Sequence, residues 1–272
     1  MNGCAPSLTL LPAGLSLSIE DCPSTPEEVE EMAKVPYQEA LGAIILLQVV
    51  TRPDLSYTIN VLSRFTHNLG KQYWNALKHV LSYIKGTSHY GITYKRGGNL
   101  TPVGYVDSDY AGCKDTRRSM KRSIFIVARG PVSWECKCQA TVALSTVEVE
   151  YMGFSRATTQ AIWLAKFFDE IGLPTTALIH IYADNIEFIA NTVNGKNHRR
   201  TKHIDIKYHF TKEHVELGMV AFEYTPSNEN LADLFTKPLS WDVLQNIITN
   251  LRLIPRKMNV PVQREYCNEL MQ

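Results

Sequence analysis

The chain has 272 residues, of which 44% are hydrophobic and 20% are charged, and its formal net charge is +1. This composition excludes a disordered chain, and the length allows one large domain or two ordinary ones, each with a substantial hydrophobic core. Because the net charge is close to zero, bulk charge does not indicate a polyanionic partner, so any argument for one must come from local clusters of basic residues.

Neither the cysteines nor the apolar segments indicate a secreted or membrane protein. The six cysteines follow no repeated spacing, so we expect no disulfide framework and an intracellular location, in the cytoplasm or nucleus. The N-terminus lacks the basic leader of a secretory signal peptide. The strongest apolar run, residues 42–50, is far shorter than the roughly 20 residues that cross a bilayer, so we expect it to be a buried core segment.

The first third of the chain has the pattern of a loop followed by helices. Residues 1–35 are poorly defined, apart from a capped helical turn that starts at Ser24 or Thr25. Residues 36–97 then show helical periodicity, broken at Pro53, in three pieces: 37–50, 54–65 and 72–86. We therefore predict a small helical segment ahead of the next domain.

From residue 98 the periodicity changes from helical to strand-like. The pattern predicts strands at about 101–107, 122–128 and 131–136, a helix at 146–171, a strand at 177–185, helical segments at 185–193 and 202–216, a strand at 220–224, and a helix from about 228. This order predicts an α+β domain over 98–240, with a mixed sheet and flanking helices, followed by a helical tail over 241–272.

Four carboxylates lie where predicted strands end or helices begin. Asp107 follows the first strand, Glu150 lies in the first turn of the long helix, Asp184 follows the fourth strand, and Asp233 lies early in a C-terminal helix. If the first and fourth strands are neighbours, these acids converge at one edge of the sheet. Carboxylates within about 4 to 6 Å repel one another unless cations offset their charge. Two Mg²⁺ ions, or Mn²⁺ in their place, would do so and would suit phosphodiester cleavage.

Two further acids lie beside these four. We interpret Asp109 as a turn residue or as a group that supports a ligand from behind, and Glu148 as the capping partner of Ser145. A metal ligand at either position is the alternative.

Residues 198–214, HRRTKHIDIKYHFTKEH, form the strongest basic cluster of the chain. Their basic side chains could bind nucleic-acid phosphates, an interaction that weakens steeply with salt. The alternative is a solvated helix face without a partner. The candidates for nucleic-acid binding are Arg199, Arg200, Lys202, Lys207 and Lys212.

Several motifs together indicate a family. GYVDSDYAG (104–112), SWECKCQATVALSTVEVEYMG (133–153), YADN (182–185), HRRTKHIDIKYHF (198–210) and NENLADLFTKPL (228–239) resemble, in order and spacing, the ribonuclease H domain of copia-type LTR-retrotransposon Pol polyproteins. Upstream, VPYQEALGAI, TRPDLSYTINVLSRF and WNALKHVLSYIKGT resemble the segment that connects reverse transcriptase to ribonuclease H in those polyproteins. The resemblance covers about residues 35–255.

The resemblance implies a ribonuclease-H-like fold and endonucleolytic hydrolysis of the RNA strand of RNA:DNA hybrids. It places Asp107, Glu150, Asp184 and Asp233 at the family's catalytic, metal-binding positions, and it implies two Mg²⁺ ions and no small-molecule cofactor. The expected partners are an RNA:DNA hybrid and the remainder of a Pol polyprotein, with no membrane. No reverse transcriptase activity is expected, because the sequence lacks the palm.

The match departs from the family pattern in three places. SMKRS (119–123) carries Arg122 where the family has glycine, a change that matters if the backbone needs positive φ there. NIEFI (185–189) carries Glu187 and Phe188, and the phenylalanine replaces a small residue. The loop TPSNENLAD (225–233) lacks the histidine that many ribonuclease H enzymes have before the last acid. The alternative interpretation is therefore a catalytically inactive retroelement remnant that folds and binds nucleic acid; an integrase-like nuclease is a weaker rival.

Overall fold

A computed structural model describes residues 5–12, 14–139, 141–143, 145–173, 178–186, 189–190, 202–235 and 241–255, with backbone alone at 202–205. The first third is helical and contains α1 (Pro26–Ala33), α2 (Tyr37–Val50), α3 (Ser56–Leu62) and α4 (Lys71–Gly86). The three predicted helical pieces are confirmed. Helix α1 begins after Thr25, whose hydroxyl accepts a hydrogen bond from the backbone N–H of Glu28.

The rest of the chain alternates strands and helices. In chain order these are β1 (Tyr90–Ile92), β2 (Val103–Asp109), β3 (Met120–Val127), β4 (Gly130–Cys138), α5 (Thr146–Glu170), β5 (Ile179–Ala183), α6 (Lys202–Glu216), β6 (Val220–Tyr224), a 3₁₀ helix (Leu231–Phe235), α7 (Trp241–Asn250) and β7 (Leu253–Pro255). The predicted strands, the long helix and the helix over 202–216 are confirmed. Most of the helical segment predicted over 185–193 lies outside the described residues.

The described strands form a five-stranded mixed sheet in the order β4-β3-β2-β5-β6. Strands β2, β3 and β4 are antiparallel neighbours, whereas β5 and β6 run parallel to β2. The predicted α+β fold class, a mixed sheet with flanking helices, is confirmed. The expectation that the first and fourth strands of this sheet are neighbours is also confirmed, as the β2–β5 pairing.

A hydrophobic core lies on each face of the sheet. On one face, α5 and α6 cover residues such as Val106 and Ile181, which belong to one buried cluster. On the other face, α2, α3, α4 and α7 pack against residues such as Tyr105 and Trp134. Because successive side chains of a strand point to opposite faces, the adjacent residues Tyr105 and Val106 pack into different cores.

The apolar run over 42–50 contributes to the core, as expected, but on one face of α2 alone. Leu41 and Ile44 are buried, whereas four apolar side chains of the same helix are exposed. A helix turns its side chains through all directions, so a continuous apolar run cannot be buried entirely when only one side packs. The exposed residues are Ile45, Leu46, Val49 and Val50.

The C-terminal described residues do not continue as a helix. After α7, residues Leu253–Pro255 form β7, which pairs antiparallel with β1 in a two-stranded sheet that the sequence pattern does not predict. The tail beyond residue 255 lies outside the described residues, and the division into four segments stays a prediction. Within the described part, none of the helices combines the length and apolarity needed to cross a membrane.

A buried ion pair connects the helices of the N-terminal segment. Arg52 Nη2 lies 2.7 Å from Asp54 Oδ2, and the side chain of Asp54 has no exposed surface. The same carboxylate accepts a hydrogen bond from the Tyr83 hydroxyl (2.8 Å), and Arg52 donates to the Thr87 hydroxyl (2.7 Å). These contacts fix the break between α2 and α3 against the end of α4.

Removing one partner of this pair should destabilise the protein strongly. We expect Arg52→Ala to lower the free energy of unfolding by about 3–5 kcal/mol, because Asp54 would stay buried without its counter-charge. The control is Lys34→Ala, which removes an exposed pair with Glu30 and should cost less than about 0.5 kcal/mol. Urea unfolding of both variants measures the difference, and equal costs would contradict the prediction.

Candidate active site

Parallel pairing of β2 with β5 brings two of the predicted acids to one edge of the sheet. The register pairs Tyr105 with Tyr182, and two residues further along their strands the chains carry Asp107 and Asp184. The side chain of Asp107 is 17% exposed. Asp184 is exposed, and its Oδ2 accepts a hydrogen bond of 2.8 Å from the Ser227 hydroxyl.

Helix α5 brings Glu150 to the same edge from one face of the sheet. The hydroxyl of Ser145 accepts the backbone N–H of Glu148 and caps this helix, as predicted for its N-terminus. Gly153 then allows close approach, because a Cβ at this position would collide with the hydroxyl of Ser108 on β2. Glu150 therefore lies close to β2 and half-buried.

Asp233 reaches the edge from the opposite face, held by Asn230. Asn230 is buried, and its Nδ2 donates to the carbonyl oxygen of Val106, next to Asp107, at 3.0 Å. Its Oδ1 accepts the N–H of Ala232, and its carbonyl accepts the N–H of Asp233. Asn230 thus fixes the 3₁₀ helix to β2. Sequence reasoning missed this role, although an Asn three residues before an acid at a helix start is a capping signal.

The pKa values show that the acids interact. Burial raises the pKa of Glu150 to about 7, and the charges of Asp107 and Asp184 add to this, whereas a hydrogen bond from Asn185 opposes it. Burial also raises the pKa of Asp107, with further contributions from Asp184 and Asp233. Asp107 therefore interacts with all three other acids.

Arg122 lies directly opposite Asp107 in the β2–β3 pairing. Its Nη1 donates to Asp107 Oδ2 at 2.7 Å and its Nη2 to Asp109 Oδ2 at 3.3 Å, while the Arg122 side chain is 2% exposed. Arg122 is a regular strand residue whose φ is not positive, so replacing glycine here causes no backbone strain of the kind considered above. Its effect is electrostatic, because it opposes the rise in the pKa of Asp107.

The donor chemistry of this cluster suits a divalent cation. Carboxylate oxygens are the ligands that Mg²⁺ and Mn²⁺ prefer, and the mutual repulsion of these acids favours a positive charge between them. The guanidinium of Arg122 already supplies one such charge at Asp107. Among the described residues, no three His, Cys, Asp or Glu side chains converge closely enough to form a metal site as they stand.

The two neighbouring acids have different surroundings. Asp109 is the last residue of β2, is 45% exposed, and pairs with Arg122, so its surroundings agree with the interpretation that it supports the site from behind. Glu148 lies in the first turn of α5, where its N–H binds the capping residue. The catalytic and metal-binding roles of the four principal acids stay predictions.

Part of the predicted nucleic-acid surface is described. Arg199 and Arg200 lie outside the described residues, as do Glu187 and Phe188, and the side chain of Lys202 is likewise not described. Lys207 and Lys212 are half-buried on α6, and Lys212 Nζ lies 3.5 Å from Glu216.

A second basic group lies on the sheet and was missed by sequence reasoning. Lys121 on β3 has a lowered pKa, first because of burial and then because Arg156, Lys137 and Lys207 add positive charge around it. Glu135 opposes this lowering of the pKa, because its Oε1 lies 3.9 Å from Lys121 Nζ and its Oε2 lies 2.8 Å from Arg156 Nε. These cations come from separate elements, so no local run of basic residues in the sequence reveals them.

Comparisons with known proteins give close relatives in sequence. No protein-family model matches the chain. It is 39% identical over 239 residues, 87% of its length, to the retrovirus-related Pol polyprotein from transposon TNT 1-94 of Nicotiana tabacum. It is also 48% identical over 133 residues, 49% of its length, to secreted RxLR effector protein 161 of Plasmopara viticola, of which it covers 94%.

The chain is much shorter than the polyproteins it matches, and it spans 15–18% of three of them. Among solved structures, LC11-RNase H1, isolated from compost by a metagenomic approach, matches 50% of this chain and 92% of its own length. The sequence identity to that structure is 14% and the TM-score is 0.38.

Asn230 should contribute to stability through a buried amide that both donates and accepts a hydrogen bond. We expect Asn230→Ala to lower the free energy of unfolding by about 1–3 kcal/mol, because the buried carbonyl of Val106 would be left without its donor. The control is Asn99→Ala, which removes an exposed turn contact to the N–H of Thr101 and should cost about 1 kcal/mol or less. Thermal or urea unfolding distinguishes the two, and an equal or smaller cost at Asn230 would be the contrary result.

Glu150 should make the metal-free protein less stable as the pH rises. Its pKa is about 7 in the folded chain, against about 4.3 when unfolded, so the folded state binds the extra proton between these values. We therefore expect the free energy of unfolding, measured in EDTA, to fall from about pH 5 to pH 7.5. Glu150→Gln should flatten this slope, and an unchanged slope in that variant would refute the assignment.

Proposed function

The chain belongs to the retrovirus-related Pol polyproteins of transposons, and we propose that its ribonuclease-H-type domain, of the copia branch, hydrolyses the RNA strand of RNA:DNA hybrids. The proposal is supported by the position of four carboxylates near the edge where β2 and β5 end, close enough that their charges act on Asp107 or Glu150. Asp107 and Asp184 come from these strands, and Glu150 and Asp233 approach from the two faces. Carboxylates placed in this way can hold the metal ions that assist cleavage of a phosphodiester.

The resemblance to the family implies that such acids hold two Mg²⁺ ions, for which Mn²⁺ can substitute. When bound, these ions would activate a water molecule and offset negative charge on the leaving oxygen. The chain supplies the orientation of the ligands. Ser227 fixes Asp184 by a hydrogen bond, and Asn230 fixes the 3₁₀ helix that carries Asp233. Near neutral pH, Glu150 can hold or release a proton in the metal-free site.

Basic side chains of α6 and of the sheet would bind the hybrid. Lys207 and Lys212 on α6, with Lys121 on the sheet, provide positive charge for backbone phosphates. Recognition of an RNA-containing duplex depends on shape and on 2′-hydroxyl contacts more than on base edges, so we expect little sequence preference. The remainder of a Pol polyprotein is the proposed protein partner.

Arg122 favours a second candidate function, that of a remnant which binds nucleic acid but does not cut it. Its buried guanidinium pairs with the central acid of the cluster, Asp107. A cation already bound to that carboxylate opposes the binding of a metal ion there. The two candidates share the basic surface and differ in catalysis alone.

Cleavage of a labelled RNA:DNA hybrid by the purified chain tests the first candidate. We expect Mg²⁺- or Mn²⁺-dependent cutting that EDTA abolishes and that Asp184→Asn reduces by about 100-fold or more, because metal ions supply several kcal/mol of transition-state stabilisation. The control is Asp169→Asn, an exposed acid of α5 far along the helix from Glu150, which should cut like the wild type.

A folded protein that binds the hybrid but does not cut it, even with excess Mn²⁺, would support the second candidate. In that case binding should weaken with salt, and Lys207→Ala should reduce the slope of log K against log salt by about 0.9 for each phosphate that the lysine neutralises. The control is Lys166→Ala, an exposed lysine of α5. Neither cutting nor salt-dependent binding would refute both candidates.

A further inference from the structure

Arg122 is built into the acidic site by the sheet itself. Its place on β3 is fixed opposite Asp107 by the β2–β3 register, and its two terminal nitrogens reach Asp107 and Asp109, which lie on the same face of β2. With 2% exposure, the guanidinium has almost no contact with solvent. An arginine side chain keeps its charge under all ordinary conditions. The site therefore contains a permanent cation of its own.

We propose that Arg122 replaces one of the two divalent cations, the one next to Asp107, so that this chain binds a single ion where a site without the arginine would bind two. The inference rests on the proposed function in one respect, namely that the same four carboxylates are the metal ligands. It extends that function by assigning a different ion stoichiometry to this particular chain.

Charge and burial both support the replacement. A divalent ion at Asp107 would have to share that carboxylate with a guanidinium that donates to it at 2.7 Å. The Arg122 side chain cannot move away from Asp107 at low cost, because a buried charge separated from its partner is strongly unfavourable. Its planar fork also matches carboxylate geometry, and its second arm is held by Asp109.

The acid on the neighbouring strand keeps the properties of a cation ligand. Asp184 is exposed, and Ser227 orients it by a hydrogen bond to Oδ2. Both terminal nitrogens of Arg122 are directed to β2, at Asp107 and Asp109, so the charge of the guanidinium is concentrated on that strand. The remaining ion is therefore expected on the β5 side of the cluster, with Asp184 as a necessary ligand.

The number of bound Mn²⁺ ions tests the proposal without reference to cleavage. Titration of the full chain, followed by the electron paramagnetic resonance signal of free Mn²⁺, should give one bound ion for the wild type. Arg122→Gly and Arg122→Met, which remove the charge, should give two ions, with binding at the second site tightened on the order of 10-fold to 100-fold. Arg122→Lys keeps the charge and should remain at one ion, and Asp184→Asn should bind none.

The outcomes separate this inference from the proposed function. Two ions in the wild type, one ion in the glycine and methionine variants, or no ion in both the wild type and these variants would each overturn the replacement, whether or not the chain cuts a hybrid. Conversely, an uncut hybrid together with the expected change from one ion to two would uphold it. Circular dichroism confirms folding of each variant; if one uncharged variant does not fold, the other decides, and two ions in the wild type overturn the proposal without either.

Discussion

The parallel pairing of β2 with β5 is the constraint on which the site depends. Neighbouring parallel strands end at the same edge of a sheet, so residues two places beyond Tyr105 and Tyr182 must meet there. Without this pairing, Asp107 and Asp184 would be unrelated acids 77 positions apart in the sequence. The other two acids approach this edge from opposite faces. Gly153 permits one approach, and the amide of Asn230 fixes the other.

Much of the fold could be predicted from the sequence because its signals are local. The caps at Thr25 and Ser145, the break at Pro53 and the change from helical to strand period at residue 98 each depend on a few neighbouring residues. The four acids could be proposed because strand ends and helix starts can be recognised from a few neighbouring residues, and the family resemblance indicates the same four positions.

The features that could not be predicted depend on contacts between distant segments. Strands β1 and β7 have three residues each, and each is stabilised by pairing with the other. The sequence of the whole sheet domain lies between them. The sequence shows that Arg122 departs from the family pattern. The β2–β3 register was needed to show that its effect is an ion pair with Asp107 and not backbone strain. The exposure of one face of α2 could not be predicted, because an all-apolar run gives no sign of which side is covered.

The hydrophobic core that contains both Leu10 and Leu253 has a consequence for the way the chain folds. It joins residues from the N-terminal helices, from β3 (Ile124), from the 3₁₀ helix (Phe235) and from α7 into one buried cluster. Contacts so far apart in sequence must form together, which makes folding slow and gives the chain high contact order. The helical segment and the sheet should therefore unfold in a single cooperative transition, and neither is expected to be an autonomous folding unit.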